Sequence, residues 1–383
     1  MPIYHGIRVV EPADGLRPLK LVATAIIGLV ATAADADAAA FPLDRPALVT
    51  DMRDAIAKAG TTGTLKASLE AIADQATPTI VVVRVAEDAD PAVQETNVLG
   101  GTVEGRFTGL EALRAAENEI GVRPRILVAP GLDTQTVTDA LVTVAQRLRG
   151  FVYAAAVGAD TGEVLAYRTA FAARELMLIW PDFATNPGFP GDAVARAAGL
   201  RAKIDEQIGW HKTLSNVAVA GVIGLTRDID FDLQDSSTTA GVLNDGDVTT
   251  MVRMNGHRFW GNRTTADDAL WAFESRVRTS QALQDTIAEG LAWAIDKPLT
   301  PQLARDVIET INAEFRQLKA EGRIIGGEVL PLDPELNNAA ALAAGQLALD
   351  YEFTDAAPLE SLTLNQRVTD RFYAAFGEQV ARL

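Results

Sequence analysis

The chain has no cysteine among its 383 residues. That absence removes disulfides, thiolate nucleophiles and cysteine-ligated zinc from consideration. It suits a protein made in a reducing compartment, or one that works outside cells without redox chemistry. Histidine is scarce: His5, His211 and His257 are the only three, and their scatter gives no metal-ligand spacing. The loops after the apolar runs lack the GxGxxG turn and the GxxxxGK[ST] cradle that bring a phosphate to a helix N-terminus. No GxSxG elbow accompanies the histidines. Positive charge is short as well, with 34 Lys and Arg against 51 Asp and Glu and a net charge of −17. Nucleic-acid binding needs a positive footprint, so this balance argues against it. An acidic particle stays soluble by self-repulsion and suits a basic partner. The apolar stretch at 21–34 is too short to span a bilayer, and the mixed residues before it, Glu11 and Asp14 included, are not the short basic start of a signal peptide. It reads as a buried strand followed by a small-residue loop, and neither a targeting sequence nor a membrane span is expected.

The residues that are present read as α/β. The length suggests two units. Apolar runs at 80–83, 126–129, 151–157 and 176–180 predict buried strands, and helical periodicity marks 51–59, 65–74, 134–149 and 193–207. Strands alternating with helices of this length imply a mainly parallel sheet covered on both faces. The Asp/Ser/Thr/Gly-rich segment 228–247 predicts loop and hairpin before a short strand at 248–252. Beyond it come helices over 271–294 and from Thr300-Pro301, an N-cap and first-turn pair, to about Ala320. Gly322, Gly326 and Gly327 then end the second of these. Leu347, Leu349, Tyr351 and Phe353 alternate as in a strand, Leu362 and Leu364 predict a short one, and 368–380 an amphipathic helix. At the other end Ile3, His5, Ile7 and Val9 share one face of a terminal strand, and Pro12, Gly15 and Pro18 interrupt regular structure after it. Such a strand is either frayed or paired with something.

The segment Asn255 to Thr264 combines two glycines, two arginines, a histidine and two large aromatics, without catalytic residues around it. Arg258 and Arg263 flank Phe259-Trp260. One reading stacks an arginine on the Trp260 indole; the other binds an anion. Thr264, Thr265, Asp267 and Asp268 can cap the next helix, which favours a structural joint. His211 and Ser215 beside Trp210 read better as local packing than as a catalytic pair.

Gly256-His-Arg-Phe-Trp-Gly-Asn-Arg-Thr264 resembles the Trp-Gly-x-Arg-Thr signature of contractile tail sheath proteins. Trp210 to Ser215, followed by Asn216-Val-Ala-Val-Ala-Gly-Val-Ile-Gly224, is similar to a second segment of that family, with Leu214 where proline is common. His5 to Glu11, Arg17-Pro18 and 21–33 resemble the family's start. The likeness runs in order along the whole chain, and the length suits phage P2-like and R-type pyocin sheaths.

The resemblance implies an α/β and α+β protein whose conserved assembly domain is formed from both chain ends and carries an inserted, outward-facing α/β domain. The implied division is a donated N-terminal strand at 1–20, the inserted domain at 21–249, the assembly domain at 250–360, and a C-terminal strand and helix at 361–383. Subunits would stack as hexameric rings in a helical homopolymer around a tail tube, then contract to drive the tube through a target envelope without nucleotide hydrolysis. Strands exchanged between subunits would involve Ile3, Ile7, Val9, Leu347, Leu349, Tyr351, Leu362 and Leu364. Trp210, Gly256, Trp260, Gly261, Arg263 and Thr264 would form the structural motif, with Trp260 and Arg263 locking the entry to the assembly domain. Arg305, Arg316, Lys319, Arg367 and Arg371 are candidates for tube contact. The implied partners are further copies, the tube protein, and baseplate and terminator proteins; no enzyme activity, cofactor, metal, nucleic acid or membrane insertion is expected. The particle would be a virion or bacteriocin tail assembled in the bacterial cytoplasm. The rival is an α/β enzyme or small-ligand-binding protein with atypical loops.

Overall fold

The computed structural model describes Leu19 and residues 21–377. The expected terminal strand with Ile3, Ile7 and Val9 lies outside the described residues.

Eight strands form one sheet: β1 (Ile27–Thr32), β2 (Pro46–Val49), β3 (Ile80–Val85), β4 (Ile126–Val128), β5 (Phe151–Ala155), β6 (Leu176–Ile179), β7 (Val248–Arg253) and β8 (His257–Trp260). Their order is β8-β7-β6-β5-β4-β1-β3-β2. The interior pairs run parallel, and only β2 and β8 at the two edges pair antiparallel. β1 and β3 are buried at every position, as central strands covered on both faces must be. Alternation splits their side chains. Leu29, Val82 and Tyr153 face one layer, with α1 (Met52–Lys58), α2 (Leu65–Ala73) and α4 (Asp192–Gln207); Val30, Val83 and Val152 face the other, with α3 (Gln135–Leu148). Thr134 caps α3 by accepting from the Val137 amide at 3.3 Å.

A second, smaller core lies apart from the sheet. α6 (Glu274–Gly290), α7 (Pro301–Ala320) and a two-stranded antiparallel sheet, β9 (Ile324–Val329) with β10 (Tyr351–Asp355), bring together Leu283, Ile311, Phe315, Leu318 and Ile324. Leu19 is buried in the same cluster and Leu21 packs against it, so residues near both ends of the chain share one core. An isolated hairpin is marginal in water, and α7 supplies the apolar face that β9 and β10 need.

Several expectations give way. The segment 228–247 contains no hairpin; helix α5 (Thr239–Asp245) occupies its end, with Thr238 as N-cap, and the hairpin is β7–β8. The helix expected over 271–294 is α6 flanked by 3-10 turns at Ala269–Trp271 and Ala292–Ala294. The glycines at 326 and 327 sit inside β9 rather than ending a helix. Leu347 and Leu349 precede β10, which begins at Tyr351. Leu362 and Leu364 form no strand: their backbone is irregular and their side chains are 69% and 80% exposed. The helix expected over 368–380 starts inside that range, as a 3-10 turn at Arg371–Ala375 that passes into α-helical backbone at 376–377, and residues from 378 onward lie outside the described ones. A boundary between 249 and 250 falls within β7, so the sheet unit extends at least to Trp260.

Candidate functional site

The segment Asn255 to Thr264 is the turn and second strand of the edge hairpin. Asn255 (φ 51°) and Gly256 (φ 100°) both adopt left-handed backbone, which Asn and Gly enter most readily, and they reverse the chain into β8. Phe259 points into the main core, where its ring meets Phe183 edge-on at 5.4 Å. Gly261 closes the strand at φ 138°, and a Cβ there would sit 2.8 Å from Thr249 Cα. The free edge of β8 is covered by 210–224, the second motif segment. The amides of Asn216 and Val219 donate to the carbonyls of Phe259 and His257 at 2.8 and 2.9 Å, and the Gly261 amide donates to Ser215 Oγ at 3.1 Å. The structure therefore brings the two candidate motifs together as one unit.

Its arginines are partnered from within. Arg258 donates to the carbonyls of Met254 and Asn216 at 2.7 and 2.8 Å. Arg263 holds Glu360 with two parallel bonds of 3.0 and 2.8 Å, a geometry that matches a planar guanidinium to a carboxylate; these bonds outweigh its partial burial and raise the Arg263 pKa. The arginine stacked on Trp260 is a correction: the Trp260 ring meets Phe231 at 4.8 Å. Stacking occurs instead at buried Trp210, 4.9 Å from the Arg323 guanidinium, and at Trp271, 4.3 Å from Arg174. Thr264 Oγ1 donates to the Trp271 carbonyl at 2.8 Å, Thr265 Oγ1 to that of Ala173, and Asp268 caps the turn at Ala269–Trp271.

A groove of about 440 Å³ runs between this unit and 356–360, lined by Ile208, His211, Asn216, Trp260, Asn262 and Pro358 among others. Burial, reinforced by the positive charge of Arg323 and Arg201, lowers the His211 pKa. Its Nδ1 is buried without a hydrogen-bond partner among the described residues, so no carboxylate orients the ring there as a catalytic base requires. Among the described residues no group of three or more His, Asp or Glu is placed to hold a metal.

Sequence reasoning missed the charged residues that join sheet to helices. Arg201 on α4 is fully buried; it donates to Asp205 at 2.9 Å, to the Lys212 carbonyl at 2.6 Å and to Glu274 at 3.3 Å. Tyr153 donates to the same Glu274, and Arg278 to Asp205. Asp285, also on α6, gathers Arg123, Arg125 and Arg149. The one local signal was the i,i+4 spacing of Arg201 and Asp205; the other pairings are long-range.

The remaining candidates are dispersed. Arg305, Arg316 and Lys319 are exposed on α7, where Arg316 pairs with Glu309. Arg367 and Arg371 are exposed beyond β10.

Comparison with known proteins gives a consistent answer. Residues 24–85 match the tail sheath protein Gp18 domain III N-terminal region, 105–265 the phage tail sheath protein central domain, and 266–369 the phage tail sheath C-terminal domain. The tail sheath protein of Escherichia phage P2 is 50% identical over 97% of both chains, and the major tail sheath protein of Serratia phage KSP20 is 44% identical over 97% of both. Among solved structures, the sheath of an extracellular contractile injection system in its contracted state superposes with a TM-score of 0.72 at 18% identity, covering 97% of this chain and 99% of that one. The contracted helical sheath of the anti-feeding prophage gives 0.72 at 16% identity, covering 94% and 98%.

Proposed function

This chain belongs to the phage tail sheath family, a structural subunit of a contractile tail rather than an enzyme, and we propose that it works by exchanging its two ends with neighbouring copies. In this reading the subunits stack as hexameric rings into a helical polymer around a tail tube. Contraction drives the tube through a target envelope on free energy stored in subunit packing, without nucleotide hydrolysis. Further partners are the tube protein and the baseplate and terminator proteins, and the polymer forms in the bacterial cytoplasm.

The observation that carries the proposal is the segment after β10. From 361 to 374 every side chain is exposed, including Leu362, Leu364, Val368, Phe372 and Tyr373. Large apolar side chains exposed in such number along one segment suit burial against another molecule. The β9–β10 sheet supports a second copy as that molecule, because no third strand joins it among the described residues and an open edge accepts an extended segment by main-chain hydrogen bonding. Charge agrees: the tail carries Arg367, Arg371 and Arg382 against Asp370 and Glu378, on a chain of net charge −17.

The assembly domain then comprises the second core, built from both ends, and the sheet unit faces outward; Arg305, Arg316 and Lys319 on the open face of α7 are offered to the tube. Negative-stain microscopy of purified protein at rising concentration tests this. Tubes or polysheaths support it, and discrete particles at all concentrations contradict it.

A further inference from the structure

Glu360 marks a boundary in the C-terminal segment. Before it, 356–360 line the groove beside the hairpin motif. After it, 361–374 are exposed throughout, and among the described residues the hydrogen bonds formed there are local, from the Arg371 amide to Thr369 and from the Tyr373 amide to Asp370. The paired bonds from Arg263 to Glu360 thus stand where the segment leaves the body.

Arg263 itself is well seated. Its neighbour Thr264 is fixed by an amide bond to the Ala272 carbonyl at 2.8 Å and by its hydroxyl to Trp271, and the guanidinium lies 5.6 Å from the Phe273 ring centroid. A second carboxylate stands nearby. Asp247 Oδ1 is 3.8 Å from Arg263 Nη1, while its other oxygen is occupied by Arg168 at 3.1 Å. Asp247 lies between α5 and β7 with left-handed backbone (φ 56°), so it belongs to the body and not to the departing segment. One cation therefore sits between an acid on the arm and an acid on the body, with an aromatic ring close by.

We infer that Arg263 is a two-position latch for the C-terminal arm: it holds Glu360 while the base of the arm, 356–360, lies in the groove, and closes onto Asp247 when that base swings out. Two alternative partners for one charge make the element bistable, because release does not leave the guanidinium without a counter-ion. The docked position is favoured by its paired geometry. Both groups are about a third or more exposed, so the preference is small and the arm stays releasable. This inference rests on the proposal that the arm is exchanged between copies, and it names what governs the arm's departure.

The absence of cysteine makes the test direct. Spin labels at Thr143→Cys on α3 and Asn365→Cys on the arm report the body–arm distance in the full chain, at concentrations below assembly. With Glu360→Gln the population of the undocked distance is expected to rise about two- to fivefold, with the melting temperature unchanged. Arg263→Lys keeps the charge but loses the paired geometry, and is expected to fall between the two. Asp247→Asn removes the second position and is expected to shrink the undocked population. An unchanged distance distribution in Glu360→Gln overturns the latch, and an unchanged one in Asp247→Asn overturns the hand-over. A chain lacking 361–383 that assembles normally defeats the exchange proposal instead, and leaves the distance result to stand by itself.

Discussion

Tyr153, in the middle of the sheet, donates its phenolic hydrogen to Glu274, the first residue of α6 and 121 positions away. This contact, with Arg201 on the same carboxylate, couples the sheet to the helical unit that carries the second core. Burial, then the Glu274 charge, pushes the Tyr153 pKa well above its ordinary value, so the phenol stays a donor at any working pH. Glu274→Ala leaves fully buried Arg201 with Asp205 as its remaining carboxylate. Removing one member of a buried charged group costs about 3 kcal/mol or more, and urea unfolding at neutral pH measures it.

Trp260→Ala removes a half-buried indole and its edge-on contact with Phe231. Full burial of such a ring is worth about 3 to 5 kcal/mol on truncation, and partial exposure here reduces the expected loss to about 2 kcal/mol. A melting temperature equal to that of the parent would contradict the role of this residue as part of the joint.

Gly261→Ala forces a side chain into backbone at φ 138° and against Thr249. Strain of this kind costs on the order of 1 to 3 kcal/mol, and because Gly261 also bonds Ser215 the change loosens the 210–224 segment from β8. Equilibrium unfolding gives the loss, and faster amide exchange at Asn216 and Val219 gives the location.

Much of this was legible in sequence where one signal dominated. Fully apolar runs announced β1, β3 and β4, and Thr134 and Thr300-Pro301 announced the starts of α3 and α7. Competing signals hid the rest. Gly326 and Gly327 read as terminators, yet Gly327 lies in β9, where a Cβ would come within 2.8 Å of the Phe315 ring. α5 was masked by the Ser/Thr-rich segment that supplies its own cap. Leu362 and Leu364 have strand periodicity without a strand, since among the described residues no strand pairs with them. The motif at 255–264 stood out beside 210–224 in the sequence, but its partners, Glu360 and Phe231, are set by tertiary contact alone.

Asp133 is buried within the loop after β4 and accepts from the Ala155 amide at 2.6 Å; burial is the leading cause that raises its pKa from 3.8 to about 6, with the nearby Asp182 charge adding to it. A carboxyl with a raised folded pKa binds its proton more tightly when folded. Its contribution to stability is fully present below pH 3.8 and is lost as pH rises through about 6. Asp133→Asn keeps an acceptor for Ala155 and removes the titration. The difference in unfolding free energy between parent and variant should therefore change by on the order of 2 to 3 kcal/mol between about pH 4 and pH 7, and a flat difference contradicts the assignment.

Removing residues 1–12 and imaging the purified chain beside the full-length protein by negative-stain microscopy decides whether copies are joined through exchanged ends. Tubes are expected from the full chain and none from the truncated one, whose circular dichroism and melting temperature remain those of a folded subunit. Tubes of normal length and frequency from the truncated chain would contradict that exchange.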